Sequence, residues 1–196
     1  MSTTEQAGRP GKYQRSAFGL VVALVSTVVV VGLLLWVMGL FRHSGDVKPQ
    51  HVDYRSIVVD AQQGGLTPVY PTSLPSGYFA TQARVPDDGD GFEIDLLKGD
   101  TADADFIGIR VAKRAGLAQL VDEEVDKDAT GAASYDVPAS VPQPLARTWD
   151  GYRDDNGDTG YAASAGGLNV LVYGSAPTAD LQRVVDSLTT APVAKK

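Results

Sequence analysis

The sequence predicts an α+β domain carried behind one membrane span, and three observations predict it. Residues 19–41 read GLVVALVSTVVVVGLLLWVMGLF without a single charged side chain. Beyond them, segments of alternating polarity lie a few residues apart, the spacing of antiparallel strands joined by short turns. Three further segments carry apolar residues at helical intervals, the stripe of a helix that covers one face of a sheet. The expected layout is an N-terminal transmembrane helix followed by an antiparallel-sheet domain with about six strands and three helices, open to description as two βββα units.

The apolar run from Ala17 to Phe41 is 25 residues long, and about 20 suffice to cross a hydrocarbon core. A cleavable signal core is shorter, about 7–15 residues, and ends in small residues. This one ends in Trp36, Met38, Leu40 and Phe41. An uncleaved anchor in the lipid bilayer is therefore expected over residues 17–41, behind a disordered cytoplasmic tail over 1–16. Arg9, Lys12 and Arg15 precede it, while Arg42, Lys48 and Arg55 follow, so the flanking charges nearly balance. The short, basic leading flank favours an N-terminus in the cytoplasm and the remainder outside. Gly19, Ala23 and Thr27 recur every fourth residue and would form a small-residue seam for weak self-association.

Residues 42–52 are polar and contain Pro49, the composition of a stalk. Asp53 then caps a helix bearing Tyr54, Ile57, Val58 and Ala61, which Gly64-Gly65 ends. A proline-laden approach, YPTSLPSGY, leads to a strand near Tyr78–Val85. Phe92, Ile94 and Leu96 alternate with acids in a second strand, and Ile107, Ile109 and Val111 mark a third. Leu117, Leu120, Val121 and Val125 define a helix over 116–126, and TGAASYDVPASVPQP reads as a proline-rich connection. Strands are expected around Trp149 and Tyr152, over Tyr161–Ala165, and over Leu168–Gly174. The last lacks polar alternation and should be central, covered on both sides. Thr178 is expected to cap the final helix, with Leu181, Val184, Val185 and Leu188 on its stripe. The domain spans 53–190, with a flexible tail over 191–196. Tyr54, Leu117 and Leu181 share an apolar register at spacings of 63 and 64.

Net charge is −7 overall, yet residues 41–196 carry 14 basic against 23 acidic groups, or −9. Such a surface repels nucleic acid and suits cations or basic partners. There is no cysteine, which excludes disulfides, thiolate metal sites and a cysteine nucleophile. The only histidines, His43 and His51, stand in the stalk, away from any pocket where an oriented imidazole would serve a triad or a zinc ion. No phosphate-binding or nucleophile-elbow motif is present. No catalytic or cofactor-binding residue, and no cofactor, is expected.

Two constellations stay open. Asp154, Asn156 and Asp158 alternate as calcium ligands do, but Thr159 stands where the loop needs glycine and Ala165 where it needs a bidentate glutamate. The competing reading is a hairpin with Asn156-Gly157 in a two-residue type I′ turn. Trp149, Tyr152, Tyr161 and Tyr173 would line a small ligand groove, or serve as core and cross-strand pairs. Plentiful carboxylates also leave room for a wall-glycan hydrolase, though nothing singles out a facing pair.

The order of tail, span, helix and PTSLPSGY element resembles the actinobacterial membrane proteins of the domain-of-unknown-function 4245 family. Pro71, Leu74, Pro75, Gly77 and Tyr78 match that family's Pro-x-x-Leu-Pro-x-Gly-aromatic element. The segments TWDGYRDD and VLVYGSAPTADLQRVVDSL are similar to its late strand, turn and helix. The resemblance implies a single-pass envelope protein with one exported domain and brings no site residues. The expected function is binding of a protein or cell-envelope component without catalysis. The alternatives are a small-ligand or lipid-binding domain using the aromatic groove, and the glycan hydrolase.

Overall fold

A computed structural model describes residues 49–193 except 88 and 102, together with residues 27 and 31. The chain divides into two units at residues 47 and 48, and the second holds every element below. Among the described residues no helix is long and apolar enough to cross a membrane. The expected span over 17–41 lies outside them but for Thr27 and Val31, both helical.

The elements run α1 (Tyr54–Gln63), β1 (Tyr70–Pro71), β2 (Phe79–Arg84), β3 (Phe92–Lys98), β4 (Asp105–Ala112), α2 (Leu117–Glu124), β5 (Thr130–Asp136), β6 (Thr148–Arg153), β7 (Thr159–Ala165), β8 (Leu168–Gly174), α3 (Thr178–Ser187) and β9 (Leu188–Thr189). The main sheet is antiparallel throughout, in the order β2-β3-β4-β8-β7-β6-β5, and β1 pairs with β9 in a separate two-residue ladder. The α+β class with three helices in this domain therefore stands, but the main sheet has seven strands where six were expected. The added strand is β5, which occupies the stretch expected to be a connection. It is an edge strand exposed along nearly its whole length, with a bulge between Ala132 and Tyr135. Nothing in its side chains alternates because neither face is covered, so its only signal is backbone pairing.

Alternation governs the other strands. In β3, Phe92, Ile94 and Leu96 are buried while the residues between them stay partly exposed. Those residues join Ile109, Val170, Val172 and Trp149 beneath α1 and α3 in one apolar cluster. The opposite face has its own, smaller cluster, in which Leu120 and Val121 of α2 meet Ala112, Ala162 and Leu171. Strand β8 thus feeds both layers, with Val170, Leu171 and Val172 fully buried, as its unbroken apolar sequence required. The shared register of the three helices holds at Val58, Val121 and Val185, all buried. It does not mark two equivalent units. The first helix-terminated unit has three strands and the second has four, and α2 and α3 lie on opposite faces.

The element Pro71–Tyr78 ties α1 to α3 within the larger layer. Tyr54 Oη donates to the Pro71 carbonyl at 2.9 Å, and Arg55 donates to the Thr72 carbonyl. The Thr72 amide and hydroxyl both reach the Ser187 carbonyl, while the Ser187 hydroxyl donates to the Ser73 carbonyl. Gly77, at φ +85°, lets the chain close a turn in which the Tyr78 amide donates to the Pro75 carbonyl. The C-terminal segment is also tied down as far as Val193, where a flexible tail was expected.

Caps divide in the same way. Asp53 accepts from the Arg55 amide at 3.2 Å and caps α1 as expected, whereas α3 starts on Pro177 and Thr178 makes no cap bond. Asp53→Ala should therefore cost about 1 kcal/mol, while Thr178→Ala should stay within about 0.5 kcal/mol of the parent. Leu181→Ala, in the full core, should cost about 2–5 kcal/mol. Urea denaturation of the three variants checks this order.

Candidate functional site

On the α2 face one row of cross-strand neighbours runs Gly131, Tyr152, Gly160, Tyr173, Gly108, Asp95, Gln82. The glycines make room. A Cβ on Gly108 would fall 2.4 Å from the Tyr173 ring, and one on Gly160 would fall 3.0 Å from Val125. Tyr173 therefore lies flat across β4, where its hydroxyl donates to Glu124 of α2. Arg110 stacks over the same ring at 5.5 Å, donates from Nη1 to Asp95 at 2.7 Å and from Nε to Glu124 at 3.0 Å. Its side chain is only 12% exposed. Burial, and after it the Glu124 carboxylate, hold the Tyr173 hydroxyl well above its usual range. Burial alone would pull the Arg110 guanidinium down, but Tyr173, Asp95 and Glu124 outweigh it.

This cluster pins α2 to the sheet and leaves a surface beside it. Phe79, Leu97 and Phe106 form the adjoining row across β2, β3 and β4, all half-buried. His51 stacks on Phe79 with ring centroids 3.8 Å apart, and Phe106 meets Tyr173 edge-on at 5.8 Å. Helix α2 packs over β7 and β8, short of that row. Between α2 and β3–β4 lies a cavity of about 270 Å³ lined by Asp90, Glu93, Glu123 and Glu124 around Arg110. Asp90 holds the rim together by accepting the amides of Lys113, Arg114 and Ala115. These bonds, that of Arg114 foremost, set its carboxyl below the usual range. The face thus carries a semi-apolar strip at one end and, two rows along β3 at Glu93, a cavity lined by acids and Arg110. No buried side-chain polar atom among the described residues lacks a partner.

The four aromatic candidates do not meet in one groove. Trp149 and Tyr161 are buried on the α1/α3 face, Trp149 donating to the Ala146 carbonyl and Tyr161 accepting from Gln182. Tyr152 and Tyr173 pack on the other face. An aromatic groove between sheet and helices is thus corrected to two separate sets, because cross-strand pairing fixes which face each ring takes. Gly19 and Ala23 lie outside the described residues, and Thr27 is helical.

Asp154, Asn156 and Asp158 occupy the β6–β7 hairpin. The Asp154 carboxylate accepts from the Asp158 amide at 2.7 Å and from Asn156 at 3.4 Å. Gly157 alone has positive φ, at +96°, and its amide donates to the Asp154 carbonyl. The turn is thus a longer one with glycine in the left-handed position, not a two-residue type I′ turn, which needs two such residues. Among the described residues no group of three or more histidines or acids is arranged to hold a metal ion. Sequence reasoning missed Arg110, although its place in DFIGIRVA puts a lone cation opposite Ile107, Ile109 and Val111, facing Asp95 from the next strand.

Fold and site define a layered α+β domain with a partly open sheet face instead of a closed pocket. The chain belongs to the family described as protein of unknown function (DUF4245), whose profile matches residues 12–188. No match emerges among curated proteins or among solved structures.

Two carboxylates should act in opposite senses on stability. Burial, then Asp154, raises the Asp158 carboxyl, so its contribution is present below the ordinary carboxylate range and lost as pH rises through the raised value. Asp158→Asn should raise Tm at pH 7 by about 1–2 °C, and that gain should vanish near pH 3. The lowered Asp90 contributes stability above the ordinary range and loses it as pH falls through its lowered value, so Asp90→Asn should flatten the acid limb. Melting curves between pH 2.5 and 7 read both. Arg110→Leu, which leaves Asp95 and Glu124 facing each other, should cost about 3 kcal/mol by urea denaturation.

Proposed function

We propose that this chain is a membrane-anchored protein whose domain over 53–190, carried outside the cytoplasm by residues 17–41, binds a protein or cell-envelope component without catalysis. The observation that carries the reading is the strip Phe79–Leu97–Phe106 beside α2, half-buried, with Asp95 in the adjoining row. Protein interfaces place an apolar centre within a polar rim, and this strip has that build. Arg110, Glu124 and Tyr173 fix the neighbouring helix before any partner arrives, which lowers the ordering cost of binding. The charge of −9 over residues 41–196 favours a partner with a basic surface.

The test is a photo-crosslinking amino acid at Leu97 in the full chain, expressed in its own cells, with the same group at Ser134 of the edge strand as comparison. Position 97 should yield one defined adduct, and Glu93→Lys should reduce its yield several-fold. No adduct above a control comprising residues 1–52 would overturn the reading. Added protease should digest the domain in spheroplasts, and a protected domain would place it on the cytoplasmic side.

A further inference from the structure

A second surface lies along the C-terminal segment, between α1, β9 and the β7–β8 turn. Two cavities, of about 440 and 420 Å³, flank the C-terminal segment. The first lies between β9 and the β7–β8 turn at Ala165 and Gly166. The second lies between α1, at Val59 and Gln62, and the residues Pro192 and Val193. Thr67 and Thr190 line both, so the cavities are two halves of one trough with the segment running through it. None of their lining residues carries a charge, in a domain whose surface is otherwise strongly acidic.

The segment is held by its main chain. Gln62 Nε2 donates to the Ala191 carbonyl at 3.0 Å, and Gln62 Oε1 accepts from the Val193 amide at 3.1 Å. Tyr70 Oη donates to the same Ala191 carbonyl at 2.9 Å. One carboxamide thus reads residues i and i+2 across Pro192, which has no N–H to offer. Ala191 and Pro192 are exposed, and Val193 is only partly buried. These bonds go to backbone atoms that any extended segment presents. The ladder that leads into them, β1 with β9, is two residues long. A strap with so few buried apolar groups belongs to the low-stability end of a fold and opens locally.

We propose that Thr190–Val193 is the resident ligand of a peptide-binding trough. Its partner is an extended, uncharged protein segment of the small–proline–aliphatic type, which takes over the Gln62 and Tyr70 bonds when the resident segment lifts. The space on either side accepts larger side chains than Ala191 and Thr190. This site uses none of the residues of the Phe79–Leu97–Phe106 strip, so the two readings stand or fall separately.

The probe is the capped, uncharged peptide Thr-Ala-Pro-Val-Ala, titrated by NMR into the intact chain and into a chain ending at Thr189. The shortened chain should bind it saturably, at least tenfold more tightly than the intact chain, whose own segment competes. Gln62→Ala in the shortened chain should weaken binding at least tenfold, and so should N-methylation of the peptide's valine, which removes the amide that Gln62 reads. A folded shortened chain that gives no saturable response, or responds equally to the N-methylated peptide, overturns the proposal. Hydrogen exchange on the intact chain can overturn the proposal even where the shortened chain does not fold. The Val193 amide should exchange at least a hundredfold faster than those of Val170 and Leu171. Exchange of all three at one common rate would make the segment a fixed part of the core and overturn the proposal.

Discussion

The pairing of β4 with β8 is the contact on which the rest of the fold depends. It joins a meander of three strands, β2 to β4, to a meander of four, β5 to β8. No other strand pairing links the two halves of the main sheet. Its register sets Gly108 against Tyr173 and Arg110 against Leu171. That choice decides both faces at once. On one side Ile109 and Val172 enter the large core under α1 and α3. On the other, Leu171 enters the small core under α2 while Tyr173 crosses β4 over Gly108. A slip of one residue would exchange these sets and bury Arg110 in the larger core.

The two layers that result differ in chemistry. The α1/α3 layer is apolar at its centre, where Val58, Leu181 and Val184 touch the sheet with no exposure. The α2 layer has a short helix of eight residues, too small to cover the sheet by apolar contact alone. Arg110 supplies the remainder by drawing Glu124 onto β4 and Asp95 toward it. A charged pair held this far from water contributes less net stability than its geometry implies, since desolvation offsets the Coulomb attraction. Its contribution is orientation: α2 is fixed beside Phe106 and Leu97 without covering them. The acids at the C-terminal end of α2, which oppose the helix dipole, are explained in part by this role of Glu124, and Glu123 accepts from Gln119 within the same helix.

How much of this was legible follows from where each residue's environment is set. Burial on one face is written in the chain as alternation, so β3, β4 and β8 were readable to within a residue or two, and the double coverage of β8 followed from its lack of polar positions. The helices were readable from their stripes, and the Asp53 cap from its position. Strand β5 was not, because an exposed edge imposes no pattern on Gly131, Ala132 or Ser134. Which face a helix covers was not readable either: Val121 and Val185 hold the same place in the same stripe yet point into different cores. For the candidate surface, Tyr173 was singled out from the sequence, whereas Arg110 was passed over among its isoleucines. Their meeting depends on the β4–β8 register, which links residues about 60 positions apart.

The Pro71–Tyr78 element, on which the resemblance in the sequence rested, has a structural role of its own. Pro71, Pro75 and Tyr78 of this element are buried, and its hydrogen bonds tie it to α1 and α3. It accepts from Tyr54 and Arg55, ties to Ser187, and delivers Tyr78 to a cluster with Lys98 and Asp105. Burial, with Asp105 and Asp180 next, keeps the Tyr78 hydroxyl protonated through the neutral range. The element's buried groups are engaged inside the fold, while Thr72 and Ser73 are exposed and line a cavity of about 340 Å³ with Arg183 and Asp186. The two surfaces proposed for recognition lie outside this element. One is the strip beside α2, whose helix is fixed by ions from the sheet. The other is the neutral trough at the far end of α1, whose present occupant is held only through its backbone.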